Sequence, residues 1–519
     1  MRNTAQSHNV VRSTVVLFAF LLLLCPRESG RATSPATVDW AAVHALTVEG
    51  INQLYNMDID GALRTFERVT AMAPGDPRGH FFRSMVYFWV YNLQRDESAH
   101  EHFMALADTV IDVCESVLEG DENNAAAHFF LGGIYGYRGL AYQTAGSLLK
   151  AVYDGRKGYK NLEEAARLDT SLHDADMGLG LFRYLVAKAP RHFSWVFSIL
   201  GFSGDLDGGL ALLRAAADRG TYARTEAMYF LATFLFNENR SDEAFRQMDT
   251  LTSRFPDNTL FLITEANWYR RLGKLEEALA LCQRAVAVNE RAKLKYGEEF
   301  AYSTLAAVQY SLNDFPSARE NFAKYMSTVS SRSLMTNWIL YRYGVTLEMA
   351  GDRAHAVEVY RMNRQPDKNA WANEPFFRRK CMVQAERPLS PADIDIIKGN
   401  NELSRLHHEA AQQLFEKASQ EAQGSQDALA EALFGIQQCQ FNLGRYDESA
   451  ATGGRVVGLS PPGERWVVPH AWLKLGQAEA KLGKTDEARN AFKRVEDYDG
   501  YDYQEFIEEH ARQELDRLK

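Results

Sequence analysis

WLKLGQAEAKLGKTDEARNAF, residues Trp472 to Phe492, decides how the rest of the chain is read. Within it fall Trp472, Leu475-Gly476, Gly483, Ala488 and Phe492. Two antiparallel helices must cross closely to bury their facing stripes. Small residues at the crossing, Gly476 and Ala488, let the backbones approach, and Trp472, Leu475 and Phe492 fill the space around them. Gly483 falls where the first helix must end, a place where glycine tolerates the left-handed backbone. The stretch therefore predicts one helix–turn–helix unit.

The same register recurs. Gly50, Ala62, Phe66 and Pro74 form one unit; Leu231-Ala232, Ala244, Met248 and Pro256 form another. Ala266, Tyr269, Gly273, Ala278 and Cys282 follow 34 residues later, then Leu305-Ala306, Ala318 and Phe322, then Tyr343-Gly344, Gly351, Ala356 and Tyr360. Ile436, Gly444, Tyr446, Ser449 and Pro461 make the unit before the quoted one. A 34-residue helical hairpin repeated in this way is the tetratricopeptide pattern. The fold class expected is all-α, a right-handed α–α superhelix, with an irregular insertion near 190–207 and a break near 364–400.

Five segments follow from the pattern. Residues 1–32 read as a signal peptide: Arg2 and Arg12 precede an apolar run from Val15 to Leu24, with small residues near Gly30 to Ala32 for cleavage. The run is short for a membrane span. Cys25 closes it as a lipoprotein cysteine would, but Leu24 before it is large where a lipid-attachment site wants a small residue. Residues 33–220 hold degenerate repeats with elongated helices, residues 221–363 a regular array, residues 364–400 a linker containing Pro366, Pro375, Pro388 and Pro391, and residues 401–519 a second array. In that last segment Asn401 to Ala422 reads as one helix and Tyr501 to Lys519 as a polar cap. Phe81 to Leu93 is apolar nearly all round, which predicts a buried helix. Near 205–207 a helix restarts, with Asp207 as its cap.

The formal charge is −10 and the basic residues are dispersed, which argues against nucleic acid as the main partner. Cys114, Cys282, Cys381 and Cys439 share no Cys-x-x-Cys spacing, so no metal and no cofactor are expected; an oxidising compartment would permit disulfides that the sequence cannot pair, and Cys282, in the large-residue position of its unit, reads as a buried free thiol. Ser147-Leu-Leu-Lys150 fits a Ser-x-x-Lys nucleophile without its supporting signatures. His100-Glu-His102 and His407-His408 lack the i, i+4 spacing that puts two imidazoles on one ion. The glycines from Gly201 to Gly209 follow no strand and precede no Gly-Lys-Ser/Thr. The chain is expected not to be an enzyme.

Leu200-Gly201-Phe202-Ser203-Gly204-Asp205, then Gly209-Leu210, Leu213 and the apolar helix Met228 to Phe236, resemble the central motif of the tetratricopeptide repeat protein 39 family. That family includes fungal outer-mitochondrial-membrane relatives linked to inclusion-body clearance. The resemblance spans roughly residues 45–360. It implies a helical repeat fold and an adaptor role, with no catalytic residues to transfer. The general pattern is also similar to exported bacterial tetratricopeptide proteins.

Binding is the function expected: a non-enzymatic scaffold outside the cytoplasm, in the periplasm or cell envelope, holding a protein or peptide on its concave face. First helices line that face, and residues just past the small crossing residue project into it. These are Asn267, Arg270 and Arg271, with Tyr310 and Tyr341 in the next two units. An amide can pair with a peptide backbone, a guanidinium with a carboxylate, and a phenol with apolar side chains. The alternative is a membrane- or lipid-associated factor using the apolar stretch 190–202.

Overall fold

A computed structural model describes residues 38–94, 96–188, 202, 204–292, 297–329, 335–365, 373–422 and 424–518. Among the described residues there are 24 α-helices and no strand. They form antiparallel pairs in chain order: α1 (Trp40–Tyr55) with α2 (Ile59–Met72), α3 (Pro77–Gln94) with α4 (Glu97–Gly120), α5 (Ala125–Thr144) with α6 (Leu148–Leu168), and α7 (Asp174–Ala187) with α8 (Leu206–Arg219). Next come α9 (Arg224–Asn237) with α10 (Ser241–Arg254), α11 (Thr259–Arg271) with α12 (Leu275–Ala292), α13 (Glu298–Ser311) with α14 (Phe315–Thr328), and α15 (Asn337–Met349) with α16 (Arg353–Arg361). A single helix, α17 (Glu374–Glu386), precedes α18 (Pro391–Ser404) with α19 (His408–Glu421), α20 (Gln426–Asn442) with α21 (Tyr446–Val456), and α22 (Val467–Lys481) with α23 (Thr485–Arg494). The last helix is α24 (Gln504–Arg517). The architecture is the all-α superhelix of the tetratricopeptide class.

Each hairpin is built as the spacing requires. A side chain at Gly476 would run into the ring of Phe492, one at Gly344 into Tyr360, and one at Gly50 into Phe66. The second-helix partners Phe66, Phe322, Tyr360 and Phe492 are all essentially inaccessible. The turn glycine Gly483 has φ +77° and Gly351 has φ +80°, left-handed values that would strain any other residue. Acidic and amide caps start the helices: Asp58 accepts from the Gly61 amide at 2.9 Å and Asn124 from Ala127 at 2.9 Å. At α8 the cap is Asp205, accepting from Gly208 at 2.9 Å, and Asp207 lies inside the first turn instead.

The elongated helices expected before 220 are present; α4 has 24 residues, α5 has 20 and α6 has 21. The helix α3, apolar on all sides, is buried between α4 and the neighbouring first helices, with Phe81, Phe82 and Phe88 in one aromatic cluster. All four described cysteines are buried free thiols.

Two expectations need correction. Residues 364–400 are not a bare linker: α17 lies within them and α18 begins at Pro391, where proline suits the first turn and Ser390 with Asp393 forms a capping box. Asn401 to Ala422 is not one helix but the end of α18 and the whole of α19, broken at Leu406, whose φ is +62°. The signal-peptide segment 1–32 and nearly all of the insertion 190–202 lie outside the described residues. At the edge of that insertion Phe202 meets Tyr159 and Phe182 edge-on, with centroids 5.3 and 4.8 Å away. Among the described residues no helix is long and apolar enough to cross a membrane.

The first helices form an inner layer, and that layer closes on itself. Asn258, which caps α11, donates from Nδ2 to the carbonyl of Tyr55 at the end of α1, at 2.8 Å. Arg254 reaches Asn52 at 3.1 Å, and His44 on α1 meets the Tyr222 hydroxyl at 2.7 Å. A second closure brings α18 onto α13: Asn401 donates to the Tyr310 carbonyl at 2.8 Å, and Arg405 pairs with Glu276 of α12 at 2.9 Å.

Candidate functional site

The space inside the first closure is filled. Glu226 on α9 accepts from the Trp89 indole of α3 at 2.9 Å and from the Tyr137 hydroxyl of α5 at 2.6 Å, with the Tyr55 phenol beside it. Burial raises its carboxyl above the ordinary carboxylate value, although the three donors oppose the rise. Aromatic rings close the remainder: Tyr55 lies 6.1 Å from Phe261 and Trp89 6.5 Å from Tyr229.

The inner layer opens beside it. Between α3, α11 and α13 lies a mostly apolar cleft of about 200 Å³, lined by Trp89, Leu93, Leu260, Ile263 and Phe300, with Asn92, Thr264 and Asn267 supplying polar atoms. Asn267 donates to the Ile263 carbonyl at 3.0 Å, and its oxygen receives Arg270 from Nε at 3.3 Å and Nη2 at 3.2 Å. The amide of Asn267 is therefore partly engaged within its own helix, and it orients Arg270.

Two first helices further along the layer stands Arg342 on α15. Its guanidinium carbon lies 5.1 Å from the ring centre of Tyr310 and 5.0 Å from that of Trp338. Among the described residues neither Arg270 nor Arg342 has a carboxylate partner, and Arg342 Nη1 is buried without a hydrogen-bond acceptor. Burial pulls the Arg342 guanidinium down to about 10; the Arg270 charge adds to the fall, while the Tyr310 and Tyr341 phenols oppose it. Burial lowers Arg270 as well, with Arg271 beside it. Removing a cation from water without an anion costs several kcal/mol. Cation–π contacts return about 0.5–2 kcal/mol each, so the rings only partly offset that cost.

A second charged cluster sits on α17. Lys380 pairs with Glu431 of α20 and with Glu464 at 2.8 Å; Arg379 holds Glu464 at 2.8 Å and Asp502 at 2.8 Å. Burial would raise Glu464, but Lys380 and Arg379 together outweigh it and hold that carboxyl low. Glu431 moves the other way, raised by burial and by the Glu464 charge beside it. This cluster is internally satisfied and ties α17 across to the C-terminal units.

The five residues read from the sequence are thus divided by the structure. Asn267 and Arg270 belong together at the cleft. Arg271 turns away, reaching Asn237 Oδ1 at 3.3 Å and covering the Phe236 ring at 4.8 Å. Tyr310 and Tyr341 are only 4% and 8% exposed, so they do not face a ligand. The second closure explains Tyr310: α18 lies over α13, every residue of which from Ala301 to Ser311 is buried. Tyr341 lies three residues before the crossing Gly344, whereas Arg270 and Tyr310 lie four after theirs, which puts its ring against Tyr360 and Phe377. Burial raises both phenols, Tyr310 to about 12.

Arg342 escaped the register argument, yet it left a signal. It is the sole charge in the apolar window Trp338 to Leu347. Of the weaker motifs, Ser147 precedes α6 and Lys150 covers the Tyr142 ring, while His100 and His102 lie against Tyr91 and Tyr87. Among the described residues no three His, Cys, Asp or Glu side chains are grouped to hold a metal ion.

Comparison with known proteins bears on the repeats. Residues 141–358 match the family model described as Iml2/Tetratricopeptide repeat protein 39, and residues 470–499 match a tetratricopeptide repeat model. The chain is a tetratricopeptide-repeat protein, similar over that central span to the Iml2/39 family. No curated protein matches it. Among solved structures, yeast Tom70 is similar at 14% identity over 89% of this chain and 100% of its own, with a TM-score of 0.30. The human IFIT1 dimer with m7Gppp-AAAA is similar at 14% identity over 88% and 95%, with a TM-score of 0.35. A tetratricopeptide repeat protein from Parabacteroides merdae is similar at 14% identity over 56% and 98%, with a TM-score of 0.25.

Proposed function

We propose that the chain is a non-enzymatic interaction scaffold that receives a protein segment on the inner layer, at the cleft between α3, α11 and the start of α13. The observation carrying this reading is the open, mostly apolar cleft, whose lining residue Asn267 holds Arg270, a cation with no carboxylate partner among the described residues. An apolar pocket with a few convergent polar groups is the usual form of a binding site, and repeat superhelices present such faces to extended partners.

Site-directed photo-crosslinking tests it. A crosslinking residue placed at Asn267 is expected to capture a partner protein, and the same residue at the outward-facing Glu277 on α12 is expected not to. Equal capture from both positions would move binding off the inner face.

We further infer that the scaffold works outside the cytoplasm. The support is the N-terminal pattern: Arg2 and Arg12 ahead of the apolar run Val15 to Leu24. A fusion of residues 1–37 to a reporter active only after export is expected to be active; a reporter retained in the cytoplasm would overturn this.

A further inference from the structure

The hairpin of α5 and α6 ends in an uncovered apolar tip. Its turn from Gln143 to Gly146 is exposed, and the helix leaving it carries Leu148, Leu149 and Tyr153 at 45%, 88% and 61% exposure. Among the described residues no other helix leaves two adjacent leucines in water. Single exposed apolar side chains need no explanation, but three within two turns of one helix form a patch.

Cations follow the tip. Lys150, Arg156 and Lys160 are exposed on α6, and Lys157 is half-buried. Two phenols hold Lys157 along the surface: its Nζ donates to the Tyr135 hydroxyl at 3.2 Å and lies 5.0 Å from the centre of the Tyr153 ring. Lys150 covers the Tyr142 ring at 5.2 Å. The only acid between Leu148 and Asn161 is Asp154, and it points inward, 2% exposed and bound to Arg138 of α5 at 2.7 Å. Glu163 and Glu164 come after Lys160, and Glu164 is paired with Arg167. The outward face of α6 is thus cationic on a chain whose formal charge is −10.

Leu149, Tyr153, Arg156 and Lys160 recur at i, i+4, i+7 and i+11, so a flat surface laid along α6 touches all four. Three apolar side chains fall far short of the roughly 1,000 Å² that a specific protein interface buries. A shallow contact with a lipid surface needs no more than a few, when cations stand beside them. Charge complementarity then requires that surface to be anionic.

We infer that the outer face of α6 docks the protein on an anionic lipid surface, with Leu148 and Leu149 at the acyl boundary, Tyr153 at the headgroup level and Lys150, Arg156, Lys157 and Lys160 on the lipid phosphates. This goes beyond the inner-layer reading, since α6 is a second helix and lines no part of the cleft. The apolar stretch 190–202 takes no part in it. The attachment is peripheral, because among the described residues no helix is long and apolar enough to cross a membrane.

The test is co-sedimentation of the full-length protein with vesicles of phosphatidylcholine and phosphatidylglycerol, beside vesicles of phosphatidylcholine alone. The protein is expected to partition onto the anionic vesicles and far less onto the neutral ones, and added salt is expected to release it. Lys160→Gln and Arg156→Gln are each expected to weaken the partition about fivefold, the effect of one cation near an anionic surface. Leu149→Glu is expected to abolish it. All three replace exposed side chains, so helical circular dichroism is expected to stay unchanged. The apolar run Val15 to Leu24 is common to every variant, so a loss on Leu149→Glu belongs to α6. Equal partition onto both kinds of vesicle, or anionic-vesicle binding that survives Leu149→Glu, would overturn the inference. No partition at all would also overturn it and would leave an acidic protein face as the occupant of α6. The inner-layer reading stands under any of these results.

Discussion

The two closures of the superhelix use polar residues in opposite ways. In the N-terminal closure one carboxylate, Glu226, gathers the Trp89 and Tyr137 donors contributed by two other helices, and aromatic rings fill what is left. In the C-terminal half the charges are spread along the wall. Lys380 and Arg379 are neutralised by Glu431, Glu464 and Asp502, while Arg270 and Arg342 are not. The first arrangement makes a plug, and the second leaves two largely buried cations without a carboxylate among the described residues. A carboxylate inside a repeat array is thus not a mark of function by itself; what matters is whether its partners are already supplied.

The comparison can be broken most sharply at α17. Lys380→Met leaves Glu431 and Glu464 buried beside each other, and its cost is expected to be about 4 kcal/mol in chemical denaturation, as for other broken buried pairs. A loss below about 1 kcal/mol would show that the cluster is solvated and does not join α17 to the C-terminal units. Glu226→Ala orphans the Trp89 and Tyr137 donors, at about 3 kcal/mol by the usual cost of unsatisfied buried groups, with a shift in tryptophan fluorescence. An unchanged spectrum and stability would show that the N-terminal plug is held by the rings alone.

Acid sharpens the contrast further. His470 on α22 is surrounded by Trp466, Phe434, Tyr501 and Tyr503, and burial lowers its pKa to about 4 despite the bond it donates to the Trp466 carbonyl. The imidazole is neutral in the fold, so its contribution is complete above the ordinary value of 6.5 and is lost as pH falls towards 4. About 2 kcal/mol should be lost by pH 5 relative to neutral, and His470→Gln should remove that part of the pH dependence. The smallest effect expected is that of Asn267→Ala on stability, within about 0.5 kcal/mol, because its contacts are local to α11. A larger loss would mean that Asn267 supports the fold as well as Arg270.

The hairpins were legible in the sequence because their rule is local. A small residue and a large one sixteen positions later, as at Gly344 and Tyr360 or Gly50 and Phe66, meet whatever the rest of the chain does. The inner surface was only half legible. Asn267 and Arg270 lie one turn apart on the same helix, so spacing finds them together. Tyr310 reads as accessible until α18, some ninety residues later, is laid over it. Lys380 and Glu226 depend on contacts between distant units, and no repeat register encodes those. The linker between 364 and 400 was misread for a related reason: its prolines suggest irregular chain, but Pro375 and Pro391 fall in first turns, where they favour helix.

The bond from Asn258 to the end of α1 has one more consequence. Repeat arrays are ordinarily quasi-one-dimensional: each unit feels only its neighbours, units can be removed from an end, and unfolding proceeds by fraying. Here the first hairpin is held by the fifth and sixth through Tyr55, Asn52 and His44. The N-terminal units up to α11 therefore form a loop of mutual dependence, in which the first hairpin is as deeply committed as those in the middle. Such a body opens as one cooperative block, and a fragment cut between its repeats would lose the neighbours that hold its ends.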